Sequence, residues 1–208
     1  MSEITQTGSG EWAKGWPIVL SALVGIALCL SPLPYWALIV IGNSLTAEFG
    51  WTREQWTGGL LFMTAGVLSG APIVGLLTDK FGARRVLLPS IIFLGIGVAL
   101  FSRMTANISI FYTIFYFTAV LGSGTLPITW SKSIVNNFDR YRGLALGIAL
   151  TGTGLYGFLA PGFIGSIIKS ADWRMVYLAV GLLPILFSFP FAFIFFKDKK
   201  EDAALASA

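Results

Sequence analysis

The sequence predicts an all-α membrane protein with six spans. Three observations carry that prediction: 55% hydrophobic residues against 12% charged, six long apolar stretches, and a lopsided distribution of Lys and Arg between their ends. A water-soluble domain carries about 25% charged residues, so half that share cannot coat a globule of 208 residues. At about 20 apolar residues per crossing, the chain holds six crossings with short connections. They are expected at 16–46, 52–78, 86–101, 108–135, 144–168 and 175–196, between polar tails at 1–15 and 197–208.

Residues 1–15 are polar and contain Gly and Ser, as a mobile tail would. The apolar run that follows is too long for the core of a cleaved signal peptide. Span one carries Ser31-Pro32-Leu33-Pro34-Tyr35-Trp36 near its middle, where two prolines remove backbone donors and disturb the helix. Spans one, two, four and five exceed the minimum length, which implies tilt or protrusion. Span three is shorter and follows a basic loop. Span four mixes threonines with aromatics, span five is rich in glycine, and span six is almost wholly apolar.

Orientation follows from the cations, which concentrate in cytoplasmic loops. With the N-terminus inside, Lys14, Lys80, Arg84, Arg85, Arg140, Arg142, Lys197, Lys199 and Lys200 are cytoplasmic. Arg53, Arg103, Lys169 and Arg174 are external. Both termini are therefore expected in the cytoplasm, with the chain in the plasma (inner) membrane. Trp12, Trp16, Trp51, Trp56 and Trp173 fall at span ends, where amphipathic rings favour the interface. At an offset of 89, Thr64, Ala71, Pro72, Lys80 and Arg85 meet Thr153, Ala160, Pro161, Lys169 and Arg174. This pairs spans two and five, which run in opposite directions. The expected architecture is two inverted three-helix repeats, a construction that places a path between units.

The residue inventory restricts chemistry. There is no histidine, and the one cysteine, Cys29, lies inside an apolar run. A Ser-His hydrolase, a disulfide scaffold and an imidazole zinc site all lack their parts. No Gly-rich phosphate loop ending in Gly-Lys-Ser/Thr occurs, and no span repeats Arg as a voltage sensor does. The reading calls for no enzyme activity, no cofactor, no metal and no nucleic-acid partner.

Between spans two and three runs Gly75-Leu-Leu-Thr-Asp79-Lys80-Phe-Gly82-Ala-Arg84-Arg85-Val86. Gly75 allows another helix to approach, Gly82 suits a turn with positive φ, and the bases hold the loop at the cytoplasmic face. This run resembles the signature loop of the major facilitator superfamily, with Ala83 where the pattern prefers a base. Phe49-Gly50-Trp51-Thr52-Arg53 and Phe138-Asp139-Arg140-Tyr141-Arg142-Gly143 resemble the monocarboxylate and oxalate/formate branch, as does the run Gly152, Gly154, Gly157 and Pro161. Members normally have twelve spans in two halves, so the resemblance implies the N-terminal six-helix half of a transporter. Drug exporters of the superfamily carry an arginine where Thr118 stands, four residues before Gly122, which argues against that subgroup.

Span four offers the substrate candidates. Thr118, Thr125, Thr129 and Lys132 fall within about a 60° sector at 100° per residue. Away from their ends the spans hold no Asp or Glu, so Lys132 has no evident acidic partner in the sequence. Two readings of Lys132 stand: a cation awaiting an anion such as a carboxylate, or a stem snorkelling to a nearby interface. Tyr35 and Trp36 join the candidates because the resemblance places spans one and four beside a central cavity; helix packing also accounts for Trp36. Gly75, Asp79, Lys80, Gly82, Arg84 and Arg85 are the expected signature-loop and gating residues. The implied function is secondary transport of a small solute, a monocarboxylate or other organic anion. The implied partners are membrane lipid, that solute, and a second six-helix unit, either another copy or a separate C-terminal half. A non-transporting receptor or assembly subunit on the same half is the alternative.

Overall fold

A computed structural model describes residues 8–196. The expected tail 197–208 and the first seven residues of the expected N-terminal tail lie outside that range. Among the described residues there are ten α-helices and no strand. They make six runs long and apolar enough to cross a membrane, Gly15–Phe49, Arg53–Phe81, Ala83–Arg103, Ile108–Asn137, Arg142–Ser170 and Trp173–Phe195. These match the expected spans to within a few residues at most ends.

Span one comprises α1 (Gly8–Ala27) and α2 (Pro32–Phe49). The first helix thus begins well ahead of Trp16, over residues expected in a tail. Glu11 on this extension accepts hydrogen bonds from the backbone N–H groups of Asp139 and Tyr141. Two amides at the entrance to span five are thereby satisfied by the first helix. The short α3 (Arg53–Thr57) leads into α4 (Gly59–Phe81), span two. Thr52 and Gln55 form a reciprocal capping box at its start, which satisfies two otherwise orphaned donors. Span three is α5 (Ala83–Leu100). Span four is α6 (Ile108–Gly122) and α7 (Pro127–Asn137), separated by a 3₁₀ turn at Ser123–Thr125. Span five is the continuous α8 (Arg142–Ser170). Span six is α9 (Trp173–Leu183) and α10 (Phe189–Phe195), joined by a π turn at Pro184–Ser188.

The packing follows the inverted repeat. Span two lies against span four, span five against span one, and span three against span six. The second helix of each triplet therefore packs on the first helix of the other. Small residues make these crossings possible, because lipid gives apolar faces no reason to associate and close packing must do it. A Cβ on Gly66 would lie 2.5 Å from the Tyr116 carbonyl oxygen, and one on Gly152 would lie 2.4 Å from that of Leu23. Spans three and six meet reciprocally: a Cβ on Gly95 would sit 2.6 Å from the Gly181 oxygen, and one on Gly181 would sit 2.6 Å from the Gly95 oxygen. This mutual contact marks the centre of the pseudo-symmetry.

Apolar cores fill both ends. One gathers Phe101, Phe111, Phe115 and Tyr177 with Trp51, Trp56 and Trp173; the other gathers Ile26, Leu87, Trp130 and Phe138. At the span ends Trp16 is exposed, while Trp51, Trp56 and Trp173 are buried. The indole N–H groups of Trp51 and Trp173 are bonded within the bundle. Trp51 donates to the Ala106 carbonyl and Trp173 to the Glu48 carboxylate.

Candidate functional site

The centre of the bundle is built from two interruptions that face each other. In span one, α1 ends at Ala27 and α2 starts at Pro32. Pro32 and Pro34 bring no N–H to the carbonyls four residues earlier, so the helix cannot run through. In span four, α6 ends at Gly122, and Leu126 is extended at φ −59° and ψ 151°, as the residue before a proline prefers. One hydrogen bond ties the two breaks: the Leu30 N–H donates to Thr125 Oγ1 at 3.1 Å, and that hydroxyl donates to the Gly122 carbonyl at 2.8 Å. Trp130 is fully buried beside Gly25, and its indole N–H donates to the Thr125 carbonyl at 3.1 Å.

The break disperses the stripe read on an ideal helix. Thr118, Thr125 and Thr129 are 4%, 1% and 3% exposed, so all three are committed to helix contacts. Thr118 packs on Gly97 of span three, and Thr125 serves the junction just described. Lys132 is exposed, but it does have an acidic partner, contrary to the sequence expectation. Its Nζ lies 3.7 Å from Asp79 Oδ1 of the signature loop, with both side chains substantially exposed. Span four and the signature loop are thus linked at their common end. Tyr35 is exposed and meets Trp36 edge to face at 5.5 Å, one turn beyond the span-one break. Trp36 covers Gly157 of span five, where a Cβ would come 3.0 Å from its Nε1.

The signature loop turns at Gly82, whose φ is 89° and ψ 154°, a region that only glycine enters without strain. Arg84 donates to the Phe193 carbonyl at 2.6 Å and stacks over the Phe193 ring, fastening span three to the end of span six. Lys80 lies over Phe81 at 5.2 Å. Arg85 is exposed at the mouth of an apolar cleft. Gly75 differs from its expectation: among the described residues no neighbouring atom lies within 4 Å of a Cβ built there, so no described helix makes the close approach.

Residues 24–208 match the sequence pattern of the Major Facilitator Superfamily. The chain belongs to the Major Facilitator Superfamily. Its spans make it a multi-pass membrane protein of that superfamily. It is similar to monocarboxylate transporter 13 of Bos taurus, 28% identical over 85% of this chain and 40% of that protein. Similarity to monocarboxylate transporter 9 of Rattus norvegicus is 31% over 85% of this chain and 34% of that protein. For monocarboxylate transporter 14 of Homo sapiens it is 28% over 85% and 34%. The chain spans about two fifths, or less, of the length of these superfamily relatives.

Several residues that organise this superfamily member entered the sequence reading only as parts of motifs or charge counts, without these structural roles. Gly50 ends α2 at φ 69° and its N–H caps the Thr46 carbonyl, which explains why a glycine sits between Phe49 and Trp51. Arg142 donates to the carbonyls of Phe138 and Val135, capping the end of span four. At the opposite end of the bundle, Arg174 bonds Glu48 through both terminal nitrogens and also Asp172, while stacking on Trp173 at 4.3 Å. The signal for that cluster was present in an arginine beside a tryptophan at a helix start. Among the described residues no group of three or more His, Cys, Asp or Glu could hold a metal.

Proposed function

We propose that the chain is one six-helix unit of a secondary transporter for a small organic anion of the monocarboxylate class. The observation that carries this reading is the similarity to monocarboxylate transporters over 85% of this chain, coupled to an interrupted span one bonded to an interrupted span four. Broken helices at mid-membrane are where transporters of this kind hold solutes, because unwound backbone offers polar groups that a continuous helix uses up. Lys132, at the signature-loop end of span four, supplies a cation at the mouth of the path, and Tyr35 supplies a hydroxyl beside the span-one break. In this mechanism an incoming anion competes with Asp79 for Lys132, so that solute binding loosens the signature loop from span four. The solute gradient, an ion gradient or exchange drives the cycle. The chain is a carrier and not an enzyme, lies in the plasma (inner) membrane, and has both termini in the cytoplasm.

A second six-helix unit completes the path. Two open faces support this. On α8, Gly143, Gly147, Gly154 and Gly165 fall within about 40° at 100° per residue, and among the described residues none has a neighbouring atom within 4 Å of its Cβ position. On α4, Gly75 shares a side with exposed Leu61 and Leu68. Small, uncovered faces are what a closely packed helix partner needs.

The test is uptake of a labelled monocarboxylate into vesicles, with the chain alone and with a six-span partner. Uptake is expected only with both units, and Lys132→Gln should abolish it while Lys132→Arg retains most of it. Equal uptake by wild type, Lys132→Gln and Lys132→Arg would remove the anion role. A monodisperse monomer that transports would remove the two-unit reading.

A further inference from the structure

We infer, on the transport reading just given, that Gly157 of span five sets the upper size of the acid the site accepts, by leaving a recess in which the Trp36 indole lies. A Cβ on Gly157 would stand 3.0 Å from Trp36 Nε1 and 3.1 Å from both Cε2 and Cζ2, and these are its three nearest atoms. At Gly66, Gly95 and Gly152 the nearest atom is instead a backbone oxygen of the facing helix. Those glycines serve helix crossings, whereas Gly157 serves a single side chain.

The same construction occurs three times in the core. Gly15, Gly25 and Gly42 lie under the rings of Phe138, Trp130 and Trp56, and all three rings are buried. There an added methyl would overlap the ring heavily, so packing fixes those seats. Trp36 differs in place and in fit. It is half-buried, one turn beyond the span-one break, and meets exposed Tyr35 edge to face. Ordinary contact begins near 3.4 Å, so a methyl on Gly157 moves the indole by about 0.3–0.4 Å without expelling it.

The direction of that movement follows from what surrounds the ring. Trp36 also packs on the core of the bundle, so the side left to it is the open one, where Tyr35 stands. Its nitrogen matters as well. Trp51, Trp130 and Trp173 give their indole N–H groups to acceptors within the bundle. Trp36 has no acceptor among the described residues, and its nitrogen is not sealed in the core. A carboxylate beside Tyr35 can therefore take that N–H. An acid held there extends its carbon chain past the indole, and the depth of the recess decides how much of it fits. Overpacking of a filled site costs about five-fold or more in affinity, and a small acid escapes that cost.

The experiment has two readouts. The first is fluorine NMR of the full chain, labelled with fluorotryptophan in mild detergent, with the Trp36 resonance identified by its loss in Trp36→Phe. Without solute that resonance should shift in Gly157→Ala and stay in place in Gly162→Ala, whose methyl meets nothing among the described residues. The second is uptake of labelled acetate by the chain paired with a six-span partner, in competition with unlabelled acetate, butyrate and benzoate. Gly157→Ala should raise the half-inhibitory concentration of benzoate, relative to that of acetate, by about five-fold or more. In a Trp36→Phe background the same substitution should change that ratio by less than about two-fold. Trp36→Phe alone, which widens the site, should lower the ratio. An unmoved Trp36 resonance in Gly157→Ala overturns the recess. A moved resonance with an unchanged ratio overturns the size limit and leaves the transport reading standing, as does an unchanged ratio in Trp36→Phe should Gly157→Ala not fold. A full shift of the ratio in the Trp36→Phe background would assign the effect to α8 itself and overturn the role of the indole. A wild-type pair that takes up no monocarboxylate refutes the transport reading and the size limit together, while the resonance still reports on the recess.

Discussion

The reciprocal glycine contact between spans three and six makes a prediction whose sign can be worked out from distances. In Gly181→Ala the added methyl would stand 2.6 Å from the Gly95 oxygen and 2.8 Å from the Ala99 nitrogen. Ordinary contact begins near 3.4 Å, so the two helices must separate by up to about 0.8 Å. Both obstructing atoms are backbone, and neither can rotate away. Overpacking of this kind costs about 1–3 kcal/mol, and the better helix propensity of alanine returns about 0.5–1 kcal/mol. The net loss is up to about 2.5 kcal/mol, or as much as roughly 10 °C in melting temperature for a chain of this length. Gly154→Ala is the counterpart: its methyl meets nothing, so only the propensity gain of about 0.5–1 kcal/mol remains. Cys29 is the one cysteine and is completely buried, so a fluorogenic maleimide reports unfolding in mild detergent. Gly181→Ala should react at lower temperature than wild type, and Gly154→Ala at equal or higher temperature. A Gly181→Ala chain that melts at or above wild type would refute the close crossing.

Thr125→Val strands the buried Leu30 N–H and should cost about 1–3 kcal/mol in the same thermal assay, whereas Thr125→Ser keeps the acceptor and most of the stability. Exchanging the charges of Asp79 and Lys132 should leave transport lost, because position 132 would then face the anion with a carboxylate, while the melt moves by less than about 1 kcal/mol because the pair is exposed. Arg174→Lys loses the two-pronged grip on Glu48 and should lower stability by about 1 kcal/mol or less, given its partial exposure. For orientation, a cysteine at exposed Lys80 should label only from the cytoplasmic side and one at exposed Ala106 only from outside; the reverse pattern in sealed cells overturns the proposed topology.

What could be read from residues alone were features set by local chemistry. Six spans follow from the apolar runs, and the positive φ of Gly82 follows from its place in a tight turn. The span-one interruption was legible in Pro32 and Pro34. The span-four interruption was also written, in Gly122-Ser-Gly124-Thr-Leu-Pro127, but an unbroken 100° step was applied across it. That step gathered Thr118, Thr125 and Thr129 onto one polar stripe, whereas the 3₁₀ turn and extended Leu126 reset the phase and bury all three. Long-range pairing was harder to see. Asp79 and Lys132 are 53 positions apart, and only the packing of span two on span four brings them together. Glu11 looked like part of a polar tail because its partners are backbone amides of residues 139 and 141, which leave no trace in side-chain identity.

The interlocked packing also sets a timetable for biogenesis. Each triplet lends its second helix to the other, so neither three-span unit can finish its own packing as it leaves the ribosome. Span one, complete by Phe49, must wait for Arg142–Ser170 to emerge. At about 5–20 residues per second, that delay is on the order of 6–25 s. During it, the Leu23–Ala27 backbone that will receive Gly152 faces lipid or the insertion machinery. In a synchronised nascent chain, the cross-link of span two with span four should therefore form before that of span one with span five. The inverted architecture makes the first helix made one of the last to find its place.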